Sequence, residues 1–334
     1  MDKKKVTALD VAKMAGVSQP TVSRVFGTGA NVSEKKRKSI LEAAKELGYQ
    51  PNAIARGLIT NKTKIIGIVM RNVQNPFYPE VLDRFYTQLA NKGYYLLFIN
   101  SENEQIQEKE ISQLIEYNVE GVIITDASLS STAADRFARN GKSVVLFNRY
   151  IKDTQYSAVF CDNYSAGYDI GTMLVEKGHK NLAFISGPPN TSTTIDRKKG
   201  FEKALLAAGI TSFPVVNGEY SYEGGFKAAQ KLLLEHKNID GIFCGNDISA
   251  FGVVDAVRKL GFKIPEDLSI VGFDDVKMSS WSSYSLTTWK QPIKEMVEAA
   301  VSILLNSINS GHETPTIQSL KGELILRDSV SDRR

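Results

Sequence analysis

From Thr63 to Ile308 short apolar runs alternate with amphipathic helical stretches, and this alternation restricts the possible fold more than any other feature. The pattern predicts strands over Ile65–Met70, Tyr94–Asn100, Gly121–Thr125, Ser143–Phe147, Val159–Cys161, Leu182–Ser186, Gly241–Cys244 and Ser269–Gly272. It predicts helices over Pro79–Asn91, Glu104–Tyr117, Thr132–Asn140, Tyr164–Lys177, Thr194–Ala208, Tyr222–Glu235, Ile248–Leu260 and Ile293–Ile308. Strands this apolar are buried on both faces, so they belong to parallel, doubly wound sheets. An internal echo divides the region: Asn118-Val-Glu-Gly-Val-Ile resembles Asn238-Ile-Asp-Gly-Ile-Phe, and Ser143-Val-Val-Leu-Phe-Asn148 resembles Ser269-Ile-Val-Gly-Phe-Asp274. We infer two similar α/β halves. Ligands of such sheets bind beyond the carboxyl ends of the strands. Asn148 and Asp274 fall at matching strand ends, where each is either a turn cap or part of a polar, hydroxyl-binding cleft.

Ahead of this region lies a different pattern. Thr7 with Asp10 forms a capping-box start, and Leu9, Ala12, Met14 and Ala15 suit one apolar side of a short helix. Gly16-Val-Ser18 breaks it, Ser18 caps the next helix, and Pro20 sits in that helix's first turn. On a helical wheel Val22, Val25 and Phe26 point inward, whereas Pro20, Ser23 and Arg24 point away, flanked by Gln19 and Thr21. Two short helices joined by a glycine turn, the second with a polar outer face, match a helix-turn-helix, and a small helical subdomain that binds a protein is the alternative. Arg24 suits bidentate bonds to guanine and Gln19 suits base edges. Thr21, Ser23 and Asn31 suit phosphate oxygens, which set position. Ser33 opens a third helix whose apolar residues are Ile40, Leu41, Ala44 and Leu47, and Gly48 stops it. Through Lys64 there are thirteen lysines and arginines against five acids, so this head is about +8 and the remainder about −4 of the net +4. A basic helix-turn-helix is an electrostatic footprint for a polyanion. The Lys35-Lys-Arg-Lys38 run alone would be only a solvated helix face.

Other chemistry is excluded or unsupported. No apolar run approaches the roughly 18 residues that span a bilayer, and Met1-Asp-Lys-Lys-Lys5 leads into the head without an apolar signal core. Cys161 and Cys244 lie in apolar strand-like runs, which points to buried thiols and a reducing cytoplasm. The three histidines are scattered without metal-ligand spacing, and His179 reads as a turn residue. Ser186-Gly-Pro-Pro is no nucleophile elbow, and no phosphate-binding glycine loop opens a helix. The expectation is a protein that is not an enzyme and uses no cofactor or metal.

Several motifs carry a specific resemblance. Asp10-Val-Ala, Ala15-Gly-Val-Ser, Thr21-Val-Ser-Arg-Val, Val32-Ser and Leu47-Gly-Tyr-x-Pro-Asn-x-x-Ala-Arg-x-Leu58 resemble the lac/galactose repressor family of bacterial transcription regulators. So do Asn75-Pro-Phe77, Gly178-His179, Arg197-x-x-Gly-Phe201, Asn246-Asp247, Ile264 to Asp275, and Leu286-Thr-Thr-Trp289-x-Gln291-Pro. The match runs nearly end to end.

The resemblance implies a small all-α helix-turn-helix domain over 1–50, a hinge helix and linker over 51–62, and an effector-binding core over 63–334. That core resembles periplasmic sugar-binding proteins. Its N-subdomain would take about 63–162 plus 292–322 and its C-subdomain about 163–291 plus 323–334, with crossovers near Asp162, Pro292 and Gly322. The implied DNA-contacting set is Thr7, Ser18, Gln19, Pro20, Thr21, Ser23, Arg24, Asn31, Asn52, Ala55 and Leu58. Asn52 to Leu58 would fold as a helix only on DNA, with Leu58 either a minor-groove wedge or a packed linker residue. The implied effector cleft has Phe77 and Tyr78 as a wall, and Asn148, Arg149, Arg197, Asn246, Asp274 and Gln291 as polar contacts. Tyr220 and Trp289 would close it, with Tyr78 and Trp289 equally suited to packing.

The function implied is a sequence-specific DNA-binding regulator, a repressor of carbohydrate-utilisation genes. Its partners are operator DNA, a second copy of the chain, and a sugar, sugar acid or sugar phosphate, with no membrane. Control by a partner protein, or by a non-sugar corepressor such as a nucleobase, is the alternative. Because no heptad tail follows Arg327, a cytoplasmic homodimer, nucleoid-associated when bound, is expected.

Overall fold

The computed structural model describes residues 6–27, 32–50, 57, 62–71, 73–101, 106–125, 136–137, 139–152, 156–311 and 314–334. The chain divides into two units, Met1–Lys64 and Ile65–Arg334.

The first unit holds three helices, α1 (Ala8–Ala15), α2 (Gln19–Phe26) and α3 (Glu34–Leu47). Thr7 starts α1 with a complete capping box: its N–H donates to the Asp10 carboxylate at 2.9 Å, and its hydroxyl oxygen accepts from the Asp10 N–H. Gly16 ends α1 at φ 65°, the left-handed value a side chain resists. Ser18 stands at the α2 cap position, but its hydroxyl pairs with that of Thr21 at 2.9 Å instead of capping an N–H. Val11, Ala12, Val22, Val25, Ile40, Ala43 and Ala44 form the core.

This corrects two expected faces. Leu9 and Met14 are exposed at 48% and 44%, and so is Leu41 at 44%. The buried stripe of α1 instead runs through Ala8, Val11, Ala12 and Ala15, and that of α3 through Ile40, Ala43, Ala44 and Leu47. Both follow the i, i+3, i+4, i+7 spacing of a helix face. Small residues on those stripes let the short helices approach closely, so position outweighs bulk.

The second unit contains two six-stranded sheets. The first comprises β1 (Ile65–Met70), β2 (Tyr95–Asn100), β3 (Gly121–Thr125), β4 (Ser143–Phe147), β5 (Ser157–Cys161) and β11 (Ile317–Leu320), in the order β11-β5-β4-β3-β1-β2. The second comprises β6 (Leu182–Ser186), β7 (Val215–Asn217), β8 (Gly241–Cys244), β9 (Ser269–Asp274), β10 (Thr287–Lys290) and β12 (Glu323–Ile325), in the order β12-β10-β9-β8-β6-β7. The two orders are the same topology, and the echoed segments lead into or form β3 and β8, then β4 and β9. All pairings are parallel except that of β12 with β10. Helices α4 (Phe77–Asn91), α5 (Glu108–Glu116) and α10 (Ile293–Ser310) serve the first lobe. Helices α6 (Asn163–Glu176), α7 (Ser192–Ala207), α8 (Tyr222–Glu235) and α9 (Asp247–Lys259) serve the second. The expected helix over 132–140 lies mostly outside the described residues.

The chain passes from the first sheet to the second after Cys161, returns between Lys290 and Ile293, and crosses again between Leu320 and Glu323. Gly322 lies in the last passage, where a Cβ would collide with the Lys290 carbonyl and the Trp289 indole. Asp247 is fully buried and binds β10 and the adjoining 3-10 turn to α9. Its carboxylate accepts from the Thr288 hydroxyl at 2.6 Å, the Ser279 hydroxyl at 2.7 Å and the Val276 N–H at 3.0 Å. Burial raises its pKa against the opposing pull of those donors.

Candidate functional site

In α2 the short helix separates two kinds of side chain. Val22 and Val25 are buried, while Gln19, Pro20, Ser23 and Arg24 are exposed and Thr21 is half-buried. Thr7 and Ser18 are also exposed, as are Lys35, Lys36 and Lys38. This leaves a polar outer face bearing Arg24 on the second helix of the motif, with exposed lysines in the first turns of α3. Asn31, Asn52, Ala55 and Leu58 lie outside the described residues.

In the second unit, side chains from both lobes converge on one cleft at the carboxyl ends of the strands. It is lined by Asn75, Phe77, Tyr78, Asn148, Arg149, Thr193, Arg197, Tyr220, Asn246 and Asp274. The first five follow β1 and β4, and the rest follow or end β6 to β9. The free volume is about 20 Å³, close to that of a single water. A cavity of this size admits a larger molecule only if the lobes separate or the lining side chains move.

Three lining residues hold positive φ without being glycine: Asn148 at 70°, Tyr220 at 55° and Asp274 at 128°. Such conformations cost energy and persist where surrounding contacts enforce them. The Asn148 amide donates to the Tyr78 hydroxyl at 3.4 Å, while its Oδ1 is buried without a hydrogen-bond partner. The Tyr220 ring lies against Gly187 and Gly245, and a Cβ on either would overlap it. Its hydroxyl pairs with Thr194 at 2.8 Å.

Arg197 is 3% exposed and its guanidinium lies 3.4 Å over the centre of the Phe273 ring. Its Nε donates to Asn163 Oδ1 at 2.8 Å, and Nη1 donates to the Gly245 carbonyl. Asn246 caps α9 by accepting the Ser249 N–H at 3.1 Å, so the residue that starts this helix, two positions after β8, also lines the cleft.

Two of the ten expected effector residues stand behind the lining. Gln291 donates its amide to Asp274 Oδ1 at 2.7 Å and so orients that carboxylate. Trp289 is 1% exposed, stacked on Phe273 and packed at the Gly322 crossover. Asn75 and Thr193 line the cleft without having been singled out for it. Asn75 had a signal in the Asn75-Pro-Phe77 motif, and Thr193 lies one helical turn before Arg197. Asn75 accepts the Phe77 N–H at 3.1 Å and shapes the entry to α4.

A second interlobe contact carried no sequence signal. Tyr150, following β4, donates its hydroxyl to Asp196 at 2.9 Å and its N–H to the Ser192 hydroxyl at 3.2 Å. Ser192 and Asp196 are one turn apart on α7, so both meet Tyr150 from one helix face. Burial, then the bond to Asp196, raises the Tyr150 pKa to about 12, which keeps the phenol a donor at neutral pH. The latch residues adjoin Arg149 in one lobe and Arg197 in the other.

Residues 7–52 match the family model described as bacterial regulatory proteins, lacI family. Residues 63–322 match the periplasmic binding proteins and sugar binding domain of that family. The HTH-type transcriptional repressor PurR of Yersinia enterocolitica is 33% identical over 331 residues, covering 98% of this chain and 97% of that protein. Catabolite control protein A of Priestia megaterium is 33% identical over 331 residues, covering 97% and 99%. Among solved structures, a lac repressor dimer bound to operator and an anti-inducer has a TM-score of 0.88 at 26% identity, covering 98% of this chain and all of that one. A CelR–cellobiose complex has a TM-score of 0.74 at 27% identity, covering 97% and 100%.

Proposed function

The chain belongs to the LacI family of DNA-binding transcriptional regulators, and from that premise we propose that it is an operator-binding repressor controlled by a small polar effector held between its two lobes. The observation that carries the reading is the union, in one chain, of an exposed polar face on α2 and a cleft built from both lobes. Arg24 and Gln19 read base edges, while Thr21 and Ser23 set register on the phosphates. A homodimer presents two such faces to the halves of a palindromic site. The effector acts by binding one arrangement of the lobes better than another, since equal affinity would shift nothing. Its site comprises the cleft residues above, with Gln291 orienting Asp274. A sugar-like effector and carbohydrate genes are the first reading. A nucleobase is the second, favoured by the aromatic walls Phe77, Tyr78 and Tyr220. The protein works in the cytoplasm, on the nucleoid, and no helix among the described residues is long and apolar enough to cross a membrane.

Selection of duplexes from a random pool by the purified protein tests the first half of the proposal. Enrichment of a two-fold symmetric sequence is expected, and recovery of random sequence at every salt concentration would overturn it. Arg197→Ala and Asp274→Ala test the second half. Each should remove the effector's influence on operator binding, and a response that survives both excludes the cleft.

A further inference from the structure

We propose that Asn163 is the positioning residue through which contact in the interlobe cleft reaches the crossovers and so alters operator binding. This deepens the proposed function and rests on the effector cleft assigned there. Asn163 is 2% exposed and stands behind Arg197, outside the residues that line the cleft. It is the first residue of α6, in the passage from the first sheet to the second. Its Oδ1 accepts from Arg197 Nε at 2.8 Å, and its Nδ2 donates to the Cys161 carbonyl at 2.8 Å. A guanidinium only donates and a carbonyl only accepts, so the two partners fix the amide in one orientation. Helix capping does not account for the residue, because Asp162 caps α6 by accepting the Ser165 N–H at 3.0 Å.

These bonds join three rigid planes in series. Arg197 presents a planar guanidinium, Asn163 a planar carboxamide, and Cys161 with Asp162 a planar peptide unit. The Cys161 carbonyl accepts from Asn163, and the Asp162 N–H of the same peptide unit donates to the Leu320 carbonyl at 2.7 Å. Leu320 ends β11 and opens the third crossover. Turning the guanidinium toward a bound molecule moves its Nε as well, and the displacement passes through groups that do not bend. The helices leave little slack. A Cβ on Gly167 of α6 would strike the Arg197 carbonyl, and one on Gly200 of α7 the Tyr164 carbonyl. The backbones that bear Asn163 and Arg197 are therefore in contact and shift as one body. Cys161 ends β5 in the first sheet, so movement between the lobes falls on the Asn163–Cys161 bond. Gln291 repeats the arrangement at the second crossover, where its amide donates to Asp274 Oδ1.

Coupling is an energy and not a path, so the test measures it. Asn163→Asp separates the two bonds. A carboxylate beside a guanidinium keeps its charge, so it accepts from Arg197 and cannot donate to the Cys161 carbonyl. Asn163→Ala removes both bonds. The probe is the two-fold symmetric duplex that the parent protein enriches from the random pool. Fluorescence transfer between labels on Lys92→Cys and Lys237→Cys, exposed positions of the first and second lobes, reads lobe separation. Full-length dimers carry one labelled copy each. By reciprocity, an effector that alters operator binding through the lobes requires an operator that alters the lobes. The duplex should shift the parent's balance of lobe arrangements by about five-fold or more. In both variants it should still bind, and the shift should fall below about two-fold. Thermal unfolding of the free variants establishes that each folds, and Asn163→Ala alone decides the matter if the aspartate variant does not. A parent-like shift in Asn163→Asp overturns the proposal. A loss confined to Asn163→Ala overturns it too, since Asn163 then only braces Arg197. Lobes that ignore a duplex the parent selects remove the coupling and leave the duplex reader intact. Failure to select any duplex removes the regulator itself.

Discussion

At the scale of single residues, the cleft is built from side chains that perform two tasks. Asn246 caps α9 while lining the cleft, and Asp274 ends β9 at φ 128° with its carboxylate turned by Gln291. Arg197 is held by Asn163, Gly245 and the face of Phe273. Such preorganisation lowers the entropy lost on binding. Tyr150 belongs to this scale because one hydroxyl joins the lobes beside both arginines. Tyr150→Phe removes that bond and keeps the ring on Phe160. The loss of about 1 kcal/mol should favour the open arrangement and weaken effector binding by about five-fold. Fluorescence transfer between labels on the two lobes should report a wider separation. An unchanged distance distribution would show that the latch does not hold the lobes.

At the scale of elements, α2 divides reading from folding, since Val22 and Val25 are buried and Arg24 is exposed. Arg24→Ala should therefore spare the folded head and remove preference for the operator's guanine positions, by about 1–3 kcal/mol per lost bidentate contact. Competition binding against mismatched duplexes measures it. Equal loss on all sequences would make Arg24 a phosphate contact.

Asp247 illustrates a different elemental role, tying α9 to the 3-10 turn and to β10 through three hydrogen bonds. Asp247→Ala leaves three buried donors without that acceptor, so a loss of at least about 3 kcal/mol in urea unfolding is expected. A variant as stable as the parent would show that those donors find other partners.

The strands β7, β10, β11 and β12 escaped the sequence pattern because each mixes polar residues into three or four positions, whereas the equally short β8 is an unbroken apolar, buried run. β10 also buries two threonines, whose hydroxyls are satisfied by Asp247 and the Arg327 carbonyl. A polar residue with a distant partner is invisible to a hydropathy pattern.

At the scale of the molecule, the final residues are part of the second lobe. Ser331 donates its N–H to Ser269 Oγ at 3.0 Å, and Arg333 donates its N–H to the Lys177 carbonyl at 2.7 Å. His179, buried in the turn before β6, lies 3.3 Å from the Asp240 carboxylate and 3.3 Å from the Ser331 carbonyl. Burial opposes ionisation of Asp240, yet the adjacent His179 ring and hydrogen bonds from the N–H groups of Lys180 and Asn181 hold its pKa below the usual carboxylate value. A depressed folded-state pKa stabilises the fold above pH about 4, and the contribution fades as pH falls through the lower folded value. Asp240→Asn should consequently destabilise the second lobe at neutral pH and much less in acid. Urea midpoints for the two proteins should converge below pH about 4, and a constant separation would place the effect elsewhere.

The amino-acid order alone determined the helix-turn-helix, the doubly wound halves and their internal echo. These features depend on period, glycine breaks and apolar runs, all local along the chain. The motifs also pointed to most of the cleft lining. Only the tertiary structure decided that Gln291 and Trp289 stand behind that lining, that Thr193 joins it, and that Tyr150 meets Asp196 across the lobes. Each depends on which strand ends and helix faces meet after three crossovers, a geometry set by packing between residues far apart in the chain.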